Sequence, residues 1–264
     1  MIKPFLVGKD IKRYEPPEKG RYLILIPKDW TRSNAPHPPL KLRGGAVPAG
    51  RQEGGVTKHA YMTEKSAWQW LSETYPAIAA HLEPYAEKAK KRYDKGEYWW
   101  ELRACDYYGE FEKPNIMLPD ISVQGNFMLD ENGGSFSANT SYIICTSDKF
   151  LLGILNSSLM TFFYKSSFAA YRGGYLRFFT QYLEQLPILT IDFSNPSEKV
   201  THDKLVILVE RMLDLHKKKA ALPPSAEREK IEREIAVTDE KIDEIVYALY
   251  GVTEEERKVI ENSK

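Results

Sequence analysis

The first apolar run, RYLILI at residues 21–26, is short, rich in β-formers and ended by Pro27, which predicts a buried strand. A stretch rich in Gly and Pro follows at 29–59, long for a segment without structure of its own. Apolar residues then recur at helical spacing over 64–94. Pro76 stands where it would open a second helix rather than break one rod, because its missing N–H costs nothing in a first turn. Strand-like runs come next at 115–118, 127–129 and 141–146. Asp130-Glu131-Asn132-Gly133-Gly134 supplies turn chemistry between the last two, so a hairpin is expected there. Asp148 is placed to cap a helix reaching about residue 165. Leu151, Leu152, Leu155, Leu159, Phe162 and Phe163 form its apolar side, expected to pack on the sheet.

After Pro187 the texture changes. Leu205, Leu208, Met212 and Leu215 step by three and four, and beyond Pro223-Pro224 so do Ile231, Ile235, Thr238, Ile242, Ile245 and Leu249. Two helices with facing stripes are predicted, either closed on each other as an antiparallel hairpin or left to bury a seam against another chain. The fold class expected is therefore α+β: a mixed-sheet domain with packed helices over 1–190, then a C-terminal antiparallel helical hairpin over 191–264 that serves as spacer, docking strut or dimerisation element.

Composition narrows this only slightly. The apolar fraction of 42% and charged fraction of 28% are those of an ordinary globular chain. No window of about 18 apolar residues is present to span a bilayer, and the first ten residues lack the uninterrupted apolar core of a secretion signal, so no membrane partner and a cytoplasmic location are expected. Cys105 and Cys145 are too few for a disulfide framework, and the five histidines are scattered, so no structural metal is expected. Net charge is zero, but residues 1–190 hold 24 Lys+Arg against 20 Asp+Glu, an excess of four. Residues 191–264 hold 13 against 17, a deficit of four. A basic face on the first part is permitted, not required.

Catalytic chemistry is hard to find. No glycine-rich cofactor loop follows a strand, and no Asn/Asp-Pro-Pro-aromatic tetrapeptide is present, although an adenine-directed methyltransferase needs both. Pro119-Asp120 could open a metal-nuclease motif, but the later acidic-x-Lys pairs, Asp239 with Lys241 and Glu256 with Lys258, fall in the charged C-terminal helices. Gly133-Gly134-Ser135-Phe136-Ser137 lacks the closing glycine of a nucleophile elbow. No catalytic, cofactor-binding or metal site is assigned, and the chain alone is not expected to be an enzyme.

What stands out instead is guanidinium among aromatics. Tyr98-Trp99-Trp100-Glu101-Leu102-Arg103 and Tyr171-Arg172-Gly173-Gly174-Tyr175-Leu176-Arg177-Phe178 each mix arginine with large rings. Arginine can grip guanine O6 and N7 with two hydrogen bonds while an aromatic body orients it. Trp99, Trp100, Phe178 and Phe179 are of types found more often in a core than at a contact, and Trp99 and Trp100 are assigned to the scaffold; Arg103 is left open.

In order along the chain, IKPFLVGKDIKRY at 2–14, YPAIAAHLEPYAEKAKKRYDKGEYWWELR at 75–103, FEKPNIMLPDIS at 111–122, NTSYII at 139–144, LLGILNSSLMTFFY at 151–164 and RGGYLRFFTQYLEQLPI at 172–188 resemble the C-terminal specificity domain of TaqI-like and Eco57I-like restriction-modification enzymes. TDEKIDEIVYALYGVTEEE at 238–256 is similar to the helical end that such proteins share with type I specificity subunits. The resemblance implies sequence-specific recognition of double-stranded DNA on behalf of an adenine-specific methyltransferase or endonuclease, fused to this chain or a partner of it. S-adenosylmethionine and magnesium would then belong to those catalytic domains. It also implies that the chain starts where the family's recognition region starts, as part of a fusion or as a separate subunit.

The DNA-contacting residues expected are Arg172, Tyr175 and Arg177, with Gly173 and Gly174 shaping their loop. Lys9, Lys12 and Arg13 are expected to position phosphates, and the loop at 29–59, with Arg32, Lys41, Arg43, Arg51 and Lys58, reads either as a phosphate-facing flap or as a solvated insertion. The alternative function is a protein-interaction module whose helical hairpin forms a homodimer or docks a methyltransferase.

Overall fold

The computed structural model describes residues 1–18, 20–36, 62–168 and 172–263. Packing divides the chain into two compact units, residues 1–2 with 24–106 and residues 3–23 with 107–264. The division falls elsewhere than residue 190.

The first unit contains the helices α1 (Trp30–Asn34), α2 (Glu64–Thr74), α3 (Pro76–Leu82) and α4 (Ala86–Lys90). Thr63 caps α2 by accepting the Ser66 N–H, and Pro76 opens α3 as its position predicts. The core of this unit is aromatic: Tyr98 and Trp100 stack with ring centroids 4.8 Å apart, and Trp68 packs on Trp99 at 4.7 Å. Trp99 and Trp100 are buried scaffold. Beneath them the fully buried Glu101 carboxylate accepts backbone N–H groups from Asp29 (3.3 Å), Thr31 (3.0 Å), Glu97 (2.9 Å) and Tyr98 (3.4 Å). A carboxylate inside an apolar cluster survives because it satisfies donors that would otherwise be orphaned. Most of the expected loop at 29–59, its four cations beyond residue 36 included, lies outside the described residues; its front carries α1.

The strands are β1 (Ile2–Leu6), β2 (Tyr22–Ile24), β3 (Asn115–Pro119), β4 (Ile121–Ser122), β5 (Met128–Asp130), β6 (Phe136–Ser137), β7 (Ser141–Ile144) and β8 (Leu176–Arg177). They form small sheets in the orders β2-β1-β6, β5-β3-β7 and β4-β8. The expected hairpin between 127–129 and 141–146 is absent: β5 and β7 pair antiparallel with opposite edges of β3. The reason lies in β3, whose NIMLP residues are all buried and whose backbone must be paired on both sides. The glycine turn is used differently. Gly133 and Gly134 both have positive φ, Gly134 N–H donates to Phe111 O, and the chain passes into β6, which runs parallel to β1 with Phe136 beside Phe5.

The helices of the second unit are α5 (Lys149–Leu155), α6 (Ser158–Ser167), α7 (Thr180–Leu183), α8 (Pro196–Ala221), α9 (Ala226–Leu249) and α10 (Glu254–Glu261). Asp148 caps α5 by accepting the Leu151 N–H at 3.1 Å, as expected. The single helix expected to run to residue 165 is broken at Asn156-Ser157. There the Asn156 amide exchanges two hydrogen bonds with the Phe127 backbone, and Ser157 caps a new helix by accepting the Met160 N–H. In α5, Gly153 leaves room for α8: a Cβ there would stand 2.9 Å from Val209 Cγ2 and 3.2 Å from Leu205 Cδ1.

The helices α8 and α9 form the expected antiparallel hairpin, and their stripes enter the same core as the sheet. Leu205, Val209, Met212, Ile242 and Val246 are buried with Ile116, Leu118, Leu152 and Leu155. Val209 and Val246 are buried beside Leu208 and Ile245, which pack half-buried against the same core. The faces expected to meet a second copy are thus covered within the chain.

Candidate functional site

The site is assembled around β4 and β8. Residues 120–123 and 175–178 run antiparallel, Ile121 opposite Arg177 and Ser122 opposite Leu176. Ser122 and Leu176 point inward and are buried, and Asn126 Nδ2 donates to Ser122 Oγ at 2.8 Å. The backbone is held from both sides: Phe178 N–H donates to Asp120 O at 2.9 Å, and the buried Tyr164 hydroxyl donates to Arg177 O at 2.7 Å. Phe178 itself lies in the core, 4.5 Å from the Tyr164 ring and 6.0 Å from Phe127.

Arg177 reaches outward. Its guanidinium faces the Asp120 carboxylate, with Nη2 3.3 Å from Oδ2, and lies over the Phe179 ring at 4.5 Å. The Arg177 side chain retains 38% of its exposure while Asp120 retains 14%. The pair therefore orients a cation at the surface rather than burying it. Tyr142 O–H donates to Asp120 Oδ1 at 3.4 Å, and burial first, then the nearby carboxylate, pushes the Tyr142 phenol above its ordinary range. It remains a donor at neutral pH. Asp120 is engaged by Arg177 and Tyr142, and Asp239 is engaged by Arg13. Among the described residues, no three His, Cys, Asp or Glu come together to hold a metal ion.

Arg172–Gly174 form a single tight turn leading into β8, with φ of 76° at Gly173 and 80° at Gly174, a conformation suited to glycine. Tyr175, the next residue, is exposed at 46%. The Arg172 side chain lies outside what is described.

The structure brings the second expected cluster close to the first. Gly8–Asp10 is a 3-10 turn packed so tightly on Thr140 that a Cβ at Gly8 would stand 2.5 Å from Thr140 O and 3.4 Å from Pro119 Cβ. The same Thr140 carbonyl accepts the Asp120 N–H at 2.9 Å. Lys9 and Lys12 are exposed, Lys12 lying 3.5 Å from Glu15. Arg13 differs: its guanidinium is paired with Asp239 of α9 and only 21% of its side chain is exposed, so its charge is spent on holding the fold together.

Sequence reasoning missed Asp120 as the partner of Arg177, and it missed Ile121 and Val123, which are exposed at 40% and 51% beside the buried Ser122. The signal was present in the alternation of PDISVQ, but an alternating strand is ordinarily read with its apolar side inward.

Residues 3–188 match the model of the TaqI-like C-terminal specificity domain. The chain is 24% identical over 193 residues to Type II methyltransferase M.XhoI of Xanthomonas vasicola, a match that covers 71% of this chain and 30% of the methyltransferase. Among solved structures, the Type IIL restriction-modification enzyme MmeI in complex with DNA aligns with 72% of this chain and 23% of its own, with a TM-score of 0.43 and 10% identity. The chain thus spans less than a third of the length of either protein.

Proposed function

Because the chain belongs to the TaqI-like C-terminal specificity domain family, we propose that it recognises a DNA sequence in the duplex and directs the adenine-specific methyltransferase or endonuclease part of a restriction-modification enzyme to it. The observation that carries this reading is the family match over 3–188, within which Arg177 stands outward, braced by Asp120 and Phe179. A braced guanidinium loses little freedom on meeting guanine O6 and N7, a contact worth about 1–3 kcal/mol of discrimination.

Lys9 and Lys12 supply phosphate contacts that are blind to sequence and sensitive to salt, and Gly173-Gly174 let the backbone of the 172–174 turn approach the duplex closely. The protein does its part by position: the duplex is held in one register so that the catalytic part meets one base. S-adenosylmethionine and magnesium belong to that part in this reading. Among the described residues no helix is long and apolar enough to cross a membrane, and we place the protein with its DNA in the cytoplasm.

The test is a fluorescence-anisotropy titration of the full chain against duplexes selected from a random pool. The double variant Arg172→Ala/Arg177→Ala is expected to lose at least tenfold on the selected duplex and little on unselected DNA. Unchanged discrimination removes these residues from the interface. The alternative, a docking module acting through its helical hairpin, is weakened by the burial of both stripes in the unit's own core.

A further inference from the structure

The outward face of the β4–β8 ribbon has the wrong polarity for a solvent-exposed strand pair. Along β4 and its extension the exposures run 40% at Ile121, 5% at Ser122 and 51% at Val123. Along β8 they run 46% at Tyr175, 2% at Leu176 and 38% for the Arg177 side chain. A half-buried strand normally turns its apolar residues in and its hydroxyls out. Here β4 does the reverse, keeping Ser122 inside and Ile121 outside, and Val123, in the bend that follows, is exposed as well.

The inversion is fixed by the structure around it. A shift of one residue would exchange the faces, putting Ile121 and Val123 in the core and Ser122 outside. That shift is prevented by Leu176 in the core, by the Phe178–Asp120 and Tyr164–Arg177 backbone contacts, and by the Asn126 bond to Ser122. Register places Ile121 directly opposite Arg177, so hydrocarbon and guanidinium share one face.

We infer that this face is the base-reading element, in which Ile121 and Val123 select thymine by contact with its 5-methyl group beside the guanine-reading Arg177. The inference rests on the proposed role in DNA recognition and deepens it. A two-stranded ribbon fits the width of the major groove, where each thymine presents a methyl group and each guanine two acceptors. An apolar side chain and an arginine side by side match that mixture.

The experiment uses the full chain and a duplex selected by it from a random pool, with each thymine replaced in turn by deoxyuridine, which removes only the methyl group. Wild-type protein is expected to lose three- to tenfold in affinity at one or two positions. Ile121→Ala and Val123→Ala are expected to bind the thymine and deoxyuridine duplexes alike at those positions, while keeping the preference for guanine. Ile121→Thr, which keeps the β-branch and lowers apolarity, guards against loss of folding, and circular dichroism confirms it.

A wild-type chain indifferent to every methyl group, or variants that keep its discrimination, overturns the inference while leaving DNA recognition standing. Base preference unchanged but binding to the separately expressed methyltransferase part weakened would assign the face to protein docking and overturn it as well. A chain that enriches no sequence from the pool overturns the DNA-recognition reading itself.

Discussion

Arg13 and Asp239, 226 residues apart, are joined by a two-pronged ion pair, with Arg13 Nη1 2.6 Å from Asp239 Oδ2 and Nη2 on Oδ1. The guanidinium also lies over the Tyr14 ring at 5.1 Å. Both side chains keep about a quarter of their exposure or less, so the pair is neither a screened surface bridge nor a fully desolvated one. It ties the segment after β1 to α9, and so ties the hairpin to the sheet within one unit.

Breaking it exposes the dependence. Arg13→Ala is expected to lower stability by about 2 kcal/mol, and Asp239→Asn by a similar amount, with the double variant costing less than the sum. Urea unfolding of the three variants measures the coupling. Additive costs would mean that the two groups do not depend on each other.

His216 on α8 faces the same region, with Tyr14, Arg13, Glu15, Lys219 and Asp239 around it. Burial is the first cause of a histidine held neutral, its pKa lowered from 6.5 to about 4. Because the folded pKa lies below the unfolded one, the unfolded chain takes up the proton first. Stability is then full above about pH 6.5 and falls as pH drops toward 4. Allowing for partial exposure, the loss is on the order of 1–2 kcal/mol. Wild type should lose unfolding free energy between about pH 6.5 and 4 that His216→Phe does not lose, the two curves running parallel above that range; curves parallel throughout would deny His216 the effect.

Glu101 gives the clearest single-site expectation in the first unit. Glu101→Ala strands backbone donors at Asp29, Thr31, Glu97 and Tyr98, at a cost of at least about 3 kcal/mol. Loss of near-ultraviolet circular dichroism from the Trp99–Trp100 cluster reads the damage directly. Glu101→Gln keeps one acceptor oxygen and should be milder.

Lys9 and Lys12 are separable from Arg177 by salt. Each phosphate contact removed should flatten the plot of log affinity against log salt by about 0.9. Lys9→Gln/Lys12→Gln should therefore lower the slope by about 2 while preserving the preferred sequence, whereas Arg177→Ala should alter the preference and leave the slope nearly unchanged. A double lysine variant with an unaltered slope would place neither residue on phosphate.

Much of this protein was legible before any coordinates. Residues whose neighbours in sequence decide their state were read correctly: Pro76 opening α3, Asp148 capping α5, and the two long C-terminal helices. The family was legible too, since the stretches that resembled it, FEKPNIMLPDIS and RGGYLRFFTQYLEQLPI among them, lie within the match over 3–188. Of the expected site, the turn at Gly173-Gly174 and the outward Tyr175 and Arg177 are placed together, while Arg13 is committed to the fold.

What sequence alone determined, then, was the local grammar: caps, turns, helical stripes, and a family inherited in order. Tertiary structure decided everything that depends on a partner distant along the chain. It placed β3 between β5 and β7, closed the hairpin stripes over α5, gave Arg13 to Asp239 and Arg177 to Asp120, and turned Ile121 and Val123 outward. The physical reason is that burial and pairing are satisfied collectively. A buried strand needs two neighbours and a half-buried charge needs its counter-ion, and neither requirement names its partner in the residues beside it.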